Sequence, residues 1–342
     1  MSVIASRAAI TAKPLSTALS RGHVPYVLRK VVHAVLVVVA AYSATFFLLF
    51  VLPGDAILAR IGTQEALGTS DLQNLELDTL RQELGLSDPL WLQYLRGLGG
   101  LATGSLGRSL VSGLPVADLI FEALPNTLIL AGVSLLVSVP LGFLLALLAV
   151  YPRSRAVRSV AALVPAAYTS LPVFWVGILL IFVFSITLGW LPAFGSSGPE
   201  SLILPVTVLA LGGAAQFAQV LISSLRAELD ASYAAVTAPA KGAGRLYTIV
   251  RHCLRNAAFP FLTVFGLRVG TLLGGTVVVE LVFSRSGIGR LMVESVKSVD
   301  LTVVLGIVAL IAVVYVVVNI LVDIGYLLLD PRLRRRPALV EG

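Results

Sequence analysis

The chain has 342 residues, of which 57% are hydrophobic and only 13% charged, and its formal net charge is +7. Soluble domains carry about 25% charged residues, so this composition excludes a water-soluble fold and indicates an integral membrane protein. The single cysteine, Cys253, excludes an internal disulfide and a cysteine-based metal site, and the positive charge is expected to set orientation in the membrane rather than to bind nucleic acid.

Six apolar runs predict an all-α fold with six transmembrane helices, since about 20 apolar residues cross a bilayer. The runs cover residues 31–52, 126–150, 160–188, 203–225, 257–283 and 301–329. The first run could also be a cleaved signal peptide, but it is longer than the 7–15 apolar residues of such peptides, which favours a retained helix. Pro165 and Pro172 predict a kink in the third run.

Basic residues predict the orientation of these helices. Of the 25 lysines and arginines, 17 fall in the segments that an even number of spans places on the same side as the termini, and seven fall in the opposite segments. Basic residues concentrate in cytoplasmic segments. We therefore expect a cytoplasmic N-terminal extension (1–30), a cytoplasmic loop (226–256) and a basic cytoplasmic tail (330–342), with residues 126–329 forming a five-helix core.

The segment 53–125 is predicted to be the one large extracytoplasmic loop. It is rich in acidic residues, and its leucine spacing over 71–86 predicts a short amphipathic helix. Five glycines between residues 97 and 107 predict turns. Two interpretations stay open at this point: a solvated connection whose acidity keeps it outside, or a docking surface for an external partner.

The chain lacks the residues of common membrane enzymes and ATPases. No phosphate-binding P-loop sequence occurs, so ATP hydrolysis is not expected here. None of the three histidines lies deep within a predicted span, and no carboxylate pair or metal-ligand cluster lies at membrane depth. We expect no catalytic activity, no cofactor and no metal, which leaves transport or a structural membrane role.

The cytoplasmic loop 226–256 has a pattern suited to docking. Its alanine-rich part (227–238) predicts a short helix, Pro239 interrupts it, Gly242 and Gly244 predict a turn, and residues 245–254 predict a second helix. A helix–turn–helix on the membrane surface could contact a cytoplasmic partner. A basic loop of this length without any partner would have a similar pattern.

This loop resembles the signature loop of bacterial ATP-binding-cassette (ABC) importer permeases of the dipeptide/oligopeptide (peptide/nickel) branch. The matching residues are 237–242 (TAPAKG) and 251–260 (RHCLRNAAFP). Further similar fragments follow in family order at residues 52–55, 84–94, 104–109, 124–128, 272–275, 287–290 and 330–332. The chain departs from the family pattern at residues 1–25, at Tyr233 and Pro239, and at Arg268.

The resemblance implies the type I permease fold with both termini cytoplasmic, in a multi-pass protein of the bacterial cell membrane. It implies a second homologous permease subunit, two cytoplasmic ABC ATPase subunits, an extracytoplasmic substrate-binding protein and surrounding membrane lipid as partners. The chain would form half of the translocation pathway. By the same resemblance, Ala238, Lys241, Gly242 and His252 are expected to couple the pathway to the ATPases.

The fifth predicted span carries two further features. Gly266, Gly270 and Gly274 repeat every four residues, which predicts a small-residue face for close helix packing. Arg268 points away from that face and lies near the membrane midplane, where a charge must face protein or water. Arg268 either lines the pathway and meets an anionic group of the solute, or pairs with Asp323 or the partner permease.

Two other classes of protein remain as alternatives: a six-helix secondary transporter, and a membrane scaffold that transports nothing. A secondary transporter often has inverted repeats, but the halves of this chain show no convincing correspondence. The solute class stays open among peptides, nickel, glutathione and other small solutes. Glu280, near the outer end of the fifth span, is expected to lie at the membrane interface.

Overall fold

A computed structural model describes residues 24–51, 88–231, 242 and 244–329 of the chain. Within these residues, ten α-helices follow one another, and short π-helical stretches at Ile181–Thr187 and Ile249–Cys253 follow the fifth and the seventh. The helices are α1 (Val24–Val51), α2 (Leu90–Thr103), α3 (Val116–Val150), α4 (Arg155–Thr169), α5 (Val173–Leu180), α6 (Glu200–Ala231), α7 (Arg245–Thr248), α8 (Leu254–Val282), α9 (Ile288–Lys297) and α10 (Leu301–Leu329).

These helices supply the six predicted spans. The long helices α1, α3, α6 and α10 are each apolar and long enough to cross a membrane alone. Two bent pairs complete the set: Arg155–Thr169 with Val173–Thr187, and Arg245–Leu272 with Gly274–Val282. Many apolar side chains of these helices are exposed, as expected where a surface faces lipid.

The third predicted span, residues 160–188, bends where its prolines predicted a kink, and the bend is sharp enough to divide the span into two helices. Its two parts, α4 and α5, are bent by 103° at a short break. Pro172 causes the break, because it has no backbone N–H and forces the preceding residue out of the helical conformation. It precedes the first residue of α5 with extended backbone angles, whereas Pro165 stays buried inside α4.

The second span begins at Val116 instead of residue 126, so the segment expected to end the extracytoplasmic loop is helical. Pro125 lies inside the helix and does not start it. The first turns of α3 are stabilised by packing: Val116 and Ile120 are buried with Val303 and Ile307 of α10. Similarly, α1 begins at Val24 within the predicted extension, and α6 continues to Ala231 within the predicted cytoplasmic loop.

The glycine-rich stretch after residue 97 forms part of helix α2, and the prediction of turns there was wrong up to Thr103. Gly97 lies directly against the hydroxyl of Tyr42 on α1, where any β-carbon would collide with it. Glycine therefore serves close helix packing at this position, and its cost in helix propensity is offset by the contact. The turn begins only at Gly104, which has φ +77°. The predicted helix over 71–86 lies outside the described residues.

The centre of the bundle is the pair α3 and α6, which make the most extensive contact, and α8 packs against α6. One apolar cluster joins Leu130 of α3, Val208 and Leu209 of α6 and Leu272 of α8. A second cluster lies at the other end of the same helices and includes Cys253. Helix α1 packs on the outside, against α10. The polar side chains described below are therefore held by a central α3–α6–α8 packing unit.

Candidate functional site

Arg268 is the middle residue of the 29-residue apolar helix α8. Its guanidinium points towards α6, where Nη2 donates a hydrogen bond of 3.1 Å to the carbonyl oxygen of Leu209. Nε of Arg268 is buried and has no hydrogen-bond partner among the described residues. Placing a charge in the middle of a transmembrane helix costs about 2.5–3.5 kcal/mol on insertion scales. One hydrogen bond to a backbone carbonyl is little compensation for that cost.

Small and polar residues make room for this guanidinium. A β-carbon at Gly213 would lie 3.4 Å from Nε of Arg268 and 3.0 Å from the hydroxyl oxygen of Ser138. A β-carbon at Gly212 would lie 3.5 Å from Nη2. Tyr168 of α4 closes the same region, and its hydroxyl donates to the carbonyl of Val208 at 2.8 Å. No carboxylate of the described residues forms an ion pair with Arg268. The arrangement presents a positive charge that can accept an anionic group.

The structure does not bring Arg268 together with Asp323, the intrachain partner considered from the sequence. Asp323 on α10 forms an ion pair with Lys30 on α1 instead. The two side chains are about one-third exposed and line a cavity of about 420 Å³ with His33 and Asn319. Lysine and aspartate near helix ends can reach the polar interface, so this pair ties the first span to the last.

Two of the three glycines of α8 lie against α10. A β-carbon at Gly266 would be 2.6 Å from Cγ2 of Val322, and one at Gly270 would be 3.1 Å from Cε2 of Tyr315. Gly274 has no atom of the described residues within 4 Å of the corresponding position. The close approach of α8 and α10 therefore depends on Gly266 and Gly270, and Gly274 lies beyond it.

The predicted coupling residues are described only in part. Gly242 is exposed and has φ +82°, a backbone conformation that glycine adopts without strain. His252 is exposed in the π-helical stretch before α8, and its ring lies edge-on to Tyr247 with 6.0 Å between the centroids. Residues 245–254 are helical, as the sequence predicted. Ala238 and Lys241 lie outside the described residues.

A buried carboxylate at the outer end of α8 was missed by the sequence analysis. Glu280 is 1% exposed instead of lying at the interface. One of its oxygens accepts a hydrogen bond of 2.6 Å from the hydroxyl of Thr127, and the other accepts 2.8 Å and 3.2 Å bonds from the backbone N–H groups of Gly289 and Arg290. Glu280 thus satisfies the free N–H groups at the start of α9 and links α3, α8 and α9.

Two more buried charges stabilise this outer end. Arg285 donates from Nη1 to the carbonyls of Gly195 and Ser201 at 3.2 and 3.1 Å, which fastens the loop before α6. Burial lowers the pKa of Arg285, and Glu280 beside it acts in the opposite direction. Asp300 accepts hydrogen bonds from the Ser109 hydroxyl and, at 3.1 Å, from the Leu110 N–H.

Glycines 287 and 289 are the sequence signal that could have revealed the Glu280 site. A β-carbon at Gly287 would collide with the Glu280 carboxylate, and one at Gly289 with the backbone of Val277. These two glycines mark the close approach of the start of α9 to Glu280 and Val277. Among the described residues, no group of three or more histidine, cysteine, aspartate or glutamate side chains could hold a metal ion.

Two family descriptions match the chain. Residues 138–335 match "Binding-protein-dependent transport system inner membrane component". Residues 23–131 match the N-terminal part of the membrane component of the same systems. Together the two matches cover most of the chain, including all of α6 and most of α3.

Relatives with similar sequences span nearly the whole chain. A Sinorhizobium fredii protein named "Probable peptide ABC transporter permease protein" is 33% identical over 319 residues, which is 90% of this chain and 99% of the relative. The glutathione transport system permease protein of Escherichia coli K12 is 34% identical over 309 residues, 90% of this chain and 98% of the relative.

Among solved structures, the methionine ABC transporter in an inward-facing conformation has a similar fold. Its matched chain superposes with a TM-score of 0.51 at 17% identity, and the match covers 63% of this chain and 97% of that chain. At this identity the likeness concerns the fold alone. The helical architecture described above is therefore that of an ABC importer permease.

Proposed function

Because this chain belongs to the family of binding-protein-dependent transport system inner membrane components, we propose that it imports di- or oligopeptides. It is a multi-pass inner membrane protein and the permease subunit of an ABC importer. The main support for a peptide solute is that relatives named for peptide and glutathione transport are 33–34% identical over 90% of the chain. Glutathione is itself a small peptide, so both names share one chemical class.

In this proposal the chain forms half of the pathway, and a second homologous permease forms the other half. Two cytoplasmic ATPases supply the energy, and an extracytoplasmic binding protein delivers the solute. The family description, which names a binding-protein-dependent system, supports the last partner. The chain itself carries no P-loop sequence, which agrees with ATP hydrolysis in separate subunits.

Arg268 is the residue that we assign to solute contact. Every peptide carries a carboxylate or another polar acceptor, and a charge-assisted hydrogen bond to a guanidinium is among the strongest available in a site of low dielectric constant. Supporting this role, Nε of Arg268 has no partner among the described residues, and Gly212 and Gly213 let the guanidinium lie close to α6. The solute carboxylate would supply the negative charge that the described part of the chain does not.

The cytoplasmic loop is the segment that we assign to coupling, through Ala238, Lys241, Gly242 and His252. A rigid element at the membrane surface is needed to transmit movement of an ATPase to the helices. The continuation of α6 to Ala231 and the helical segment before α8 give the loop rigid supports on both sides. Gly242→Asp places a side chain at φ +82° and should abolish uptake while membrane insertion stays normal. Normal uptake by this variant, with the ATPases still bound, would refute the assignment.

The proposed function is tested by uptake of a radiolabelled dipeptide into cells that express the whole transport system. Deletion of the ATPase subunits, or vanadate in reconstituted vesicles, should abolish uptake, and a protonophore should leave ATP-driven uptake in vesicles unchanged. A protonophore-sensitive uptake that persists without the ATPases would identify a secondary transporter instead. If no solute enters under any condition although the subunits assemble, the chain is a scaffold.

A further inference from the structure

Four arginines surround one cavity where several helices end on the side predicted to be cytoplasmic. The cavity has a volume of about 370 Å³ and is lined by Arg155 and Arg158 of α4, Arg226 of α6 and Arg245 of α7. A single acidic side chain, Asp230, lines it with them. Four positive charges and one negative charge therefore line the same concave surface, which gives the cavity an excess of positive charge.

The guanidinium groups of this cluster have no anionic partner in the part of the chain that the structure describes. Those of Arg155, Arg158 and Arg226 form no hydrogen bond or ion pair within the described residues. Arg245 donates at 3.0 Å to the carbonyl of Val150, one of the free carbonyls at the end of α3, and this bond fixes the cavity wall. The cavity keeps its shape through the backbone, while most of its charge is left without compensation.

The helix α4 makes the cavity still more positive. Its N-terminus carries the positive end of the helix dipole, and acidic residues are preferred there. The first turn of α4 contains no acidic residue, and Arg155 and Arg158 occupy its beginning. Like charges at a positive helix end are unfavourable unless an anion binds beside them. Ser154 caps this helix start by accepting a hydrogen bond of 3.5 Å from the N–H of Val157, but no acidic residue in the first turn offsets the charge of the two arginines.

Apolar side chains next to the cavity indicate that the anion carries hydrocarbon. Outside the cavity lining, on the same two helices as its arginines, Val157 and Val160 of α4 are 46% and 59% exposed, and Leu246 and Tyr247 of α7 are 48% and 58% exposed. Ala149 and Leu229 form part of the cavity wall itself. Exposed apolar residues beside arginines at a helix end are the pattern of a membrane interface, where basic pockets between helices bind anionic headgroups. A free phosphate ion has no hydrocarbon that could contact these apolar side chains.

We propose that this cavity binds the headgroup of an anionic phospholipid of the cytoplasmic leaflet. The phosphate diester would lie among Arg155, Arg158 and Arg226, and the acyl chains would run along the apolar side chains of α4 and α7. The site is separate from the solute pathway at Arg268, so the proposal stands whatever the solute is. Through Arg245 and the end of α3, a bound lipid would also stabilise the start of the segment that leads into α8.

Native mass spectrometry of the full-length chain, purified in mild detergent and supplied with phosphatidylglycerol or phosphatidylcholine, tests the proposal. The wild-type chain should retain phosphatidylglycerol in preference to phosphatidylcholine. Each basic residue near an anionic surface contributes a factor of about five, so Arg155→Gln/Arg158→Gln should weaken retention about 30-fold and Arg226→Gln alone about fivefold. The matched control, Arg153→Gln/Arg251→Gln, removes the same charge outside the cavity and should retain the lipid.

Three results would overturn the proposal. The first is equal retention of phosphatidylglycerol by the cavity double variant and the control, with both chains folded by size-exclusion chromatography. The second is displacement of the lipid by excess inorganic phosphate, which would identify a site for a free phosphate ion. The third is unchanged lipid retention together with loss of ATPase co-purification in the cavity variants, which would identify a protein-docking surface. Since Arg226 is on another helix than Arg155, its variant gives an independent result if the double variant fails to fold.

Discussion

At the scale of a single residue, Arg268 carries a buried charge that the described residues compensate poorly. Its guanidinium is surrounded by apolar helices, yet one hydrogen bond to Leu209 is all that the described residues give it. Buried charges are normally paired or fully hydrogen-bonded, because the cost of desolvation is otherwise not recovered. A ligand or a partner subunit that supplies acceptors would resolve this, and the solute is the ligand that passes through the membrane core.

Arg268→Gln should therefore reduce peptide uptake with little effect on the amount of protein in the membrane. A hydrogen bond to a charged group contributes about 1.5–3 kcal/mol, which corresponds to a loss of about 10-fold to 150-fold in uptake. Uptake of a labelled dipeptide, divided by the expression level, measures this effect. Arg268→Lys keeps the charge and serves as the control, with a smaller loss expected. Full uptake by the glutamine variant would exclude the pathway role.

Glu280 yields a prediction about stability instead of transport. Its two oxygens accept three hydrogen bonds, two of them from backbone N–H groups. Glu280→Gln replaces one accepting oxygen by a donor group, so one buried N–H or hydroxyl loses its partner, at a cost of about 1–3 kcal/mol. The melting temperature of the purified protein should fall accordingly.

Glu294→Gln is the matched control for this change. Glu294 lies on α9, the short helix whose start contacts Glu280; its side chain is 56% exposed and pairs with Arg290 on the surface. Exposed pairs of this kind contribute less than about 1 kcal/mol. If both variants melted at the same temperature as the wild-type protein, the Glu280 hydrogen bonds would not hold the outer end together.

At the scale of the helices, the packing of α8 on α10 predicts different effects of substitution at Gly266 and Gly274, although both belong to the same four-residue repeat. Gly266→Ala would place a methyl group 2.6 Å from Val322, whereas Gly274→Ala meets no described atom within 4 Å. Overpacking costs about 1–3 kcal/mol, and alanine otherwise favours a helix over glycine. Thermal unfolding should thus show a lower melting temperature for Gly266→Ala and no loss for Gly274→Ala.

A second substitution distinguishes this steric effect from a general effect on the helix. Val322→Ala removes the methyl groups that the new side chain would meet. The double variant Gly266→Ala/Val322→Ala should therefore be more stable than the sum of the two single changes predicts. Strict additivity would mean that Gly266 and Val322 do not interact.

The predicted elements differ from the observed ones where packing overrides a local signal. Pro125 and Pro172 look alike as helix breakers, but only Pro172 breaks a helix, because the turns before Pro125 are held by Val116 and Ile120 against α10. The glycines after residue 97 are turn residues by type, yet Gly97 lies within α2 against Tyr42. The length of the apolar runs located the spans, whereas the ends of the helices depended on contacts between distant segments.

Of the candidate site, the sequence predicted the position of Arg268 within its helix but not the contacts between side chains of distant segments. Arg268 stood out because a charge near the middle of an apolar run is rare, and the structure places it at the middle of α8. The partner of Asp323 was not predictable, because Lys30 is 293 residues away along the chain. The burial of Glu280 was also missed, since it depends on the start of α9 turning back onto the end of α8.

At the scale of the whole molecule, the distribution of basic residues predicts that both termini are cytoplasmic. In a Cys253→Ala background, which removes the only native thiol, Ser112→Cys should react with a membrane-impermeant maleimide added to spheroplasts. Arg153→Cys should react only after the membrane is permeabilised. Both positions are exposed in the protein. The reverse labelling pattern would show that the orientation is inverted.

The contact between α1 and α10 has a consequence for how the chain is made. Lys30 pairs with Asp323, and Tyr42 and Phe46 are buried against Leu305 and Ala309, so the earliest of the described helices to be synthesised packs on the latest of them. Until α10 is synthesised, Lys30 lacks the Asp323 carboxylate, and of the described helices only α2, through Tyr94, can pack on the aromatic side chains of α1. Membrane insertion of this protein can therefore begin at the N-terminus, but its tertiary assembly ends there as well.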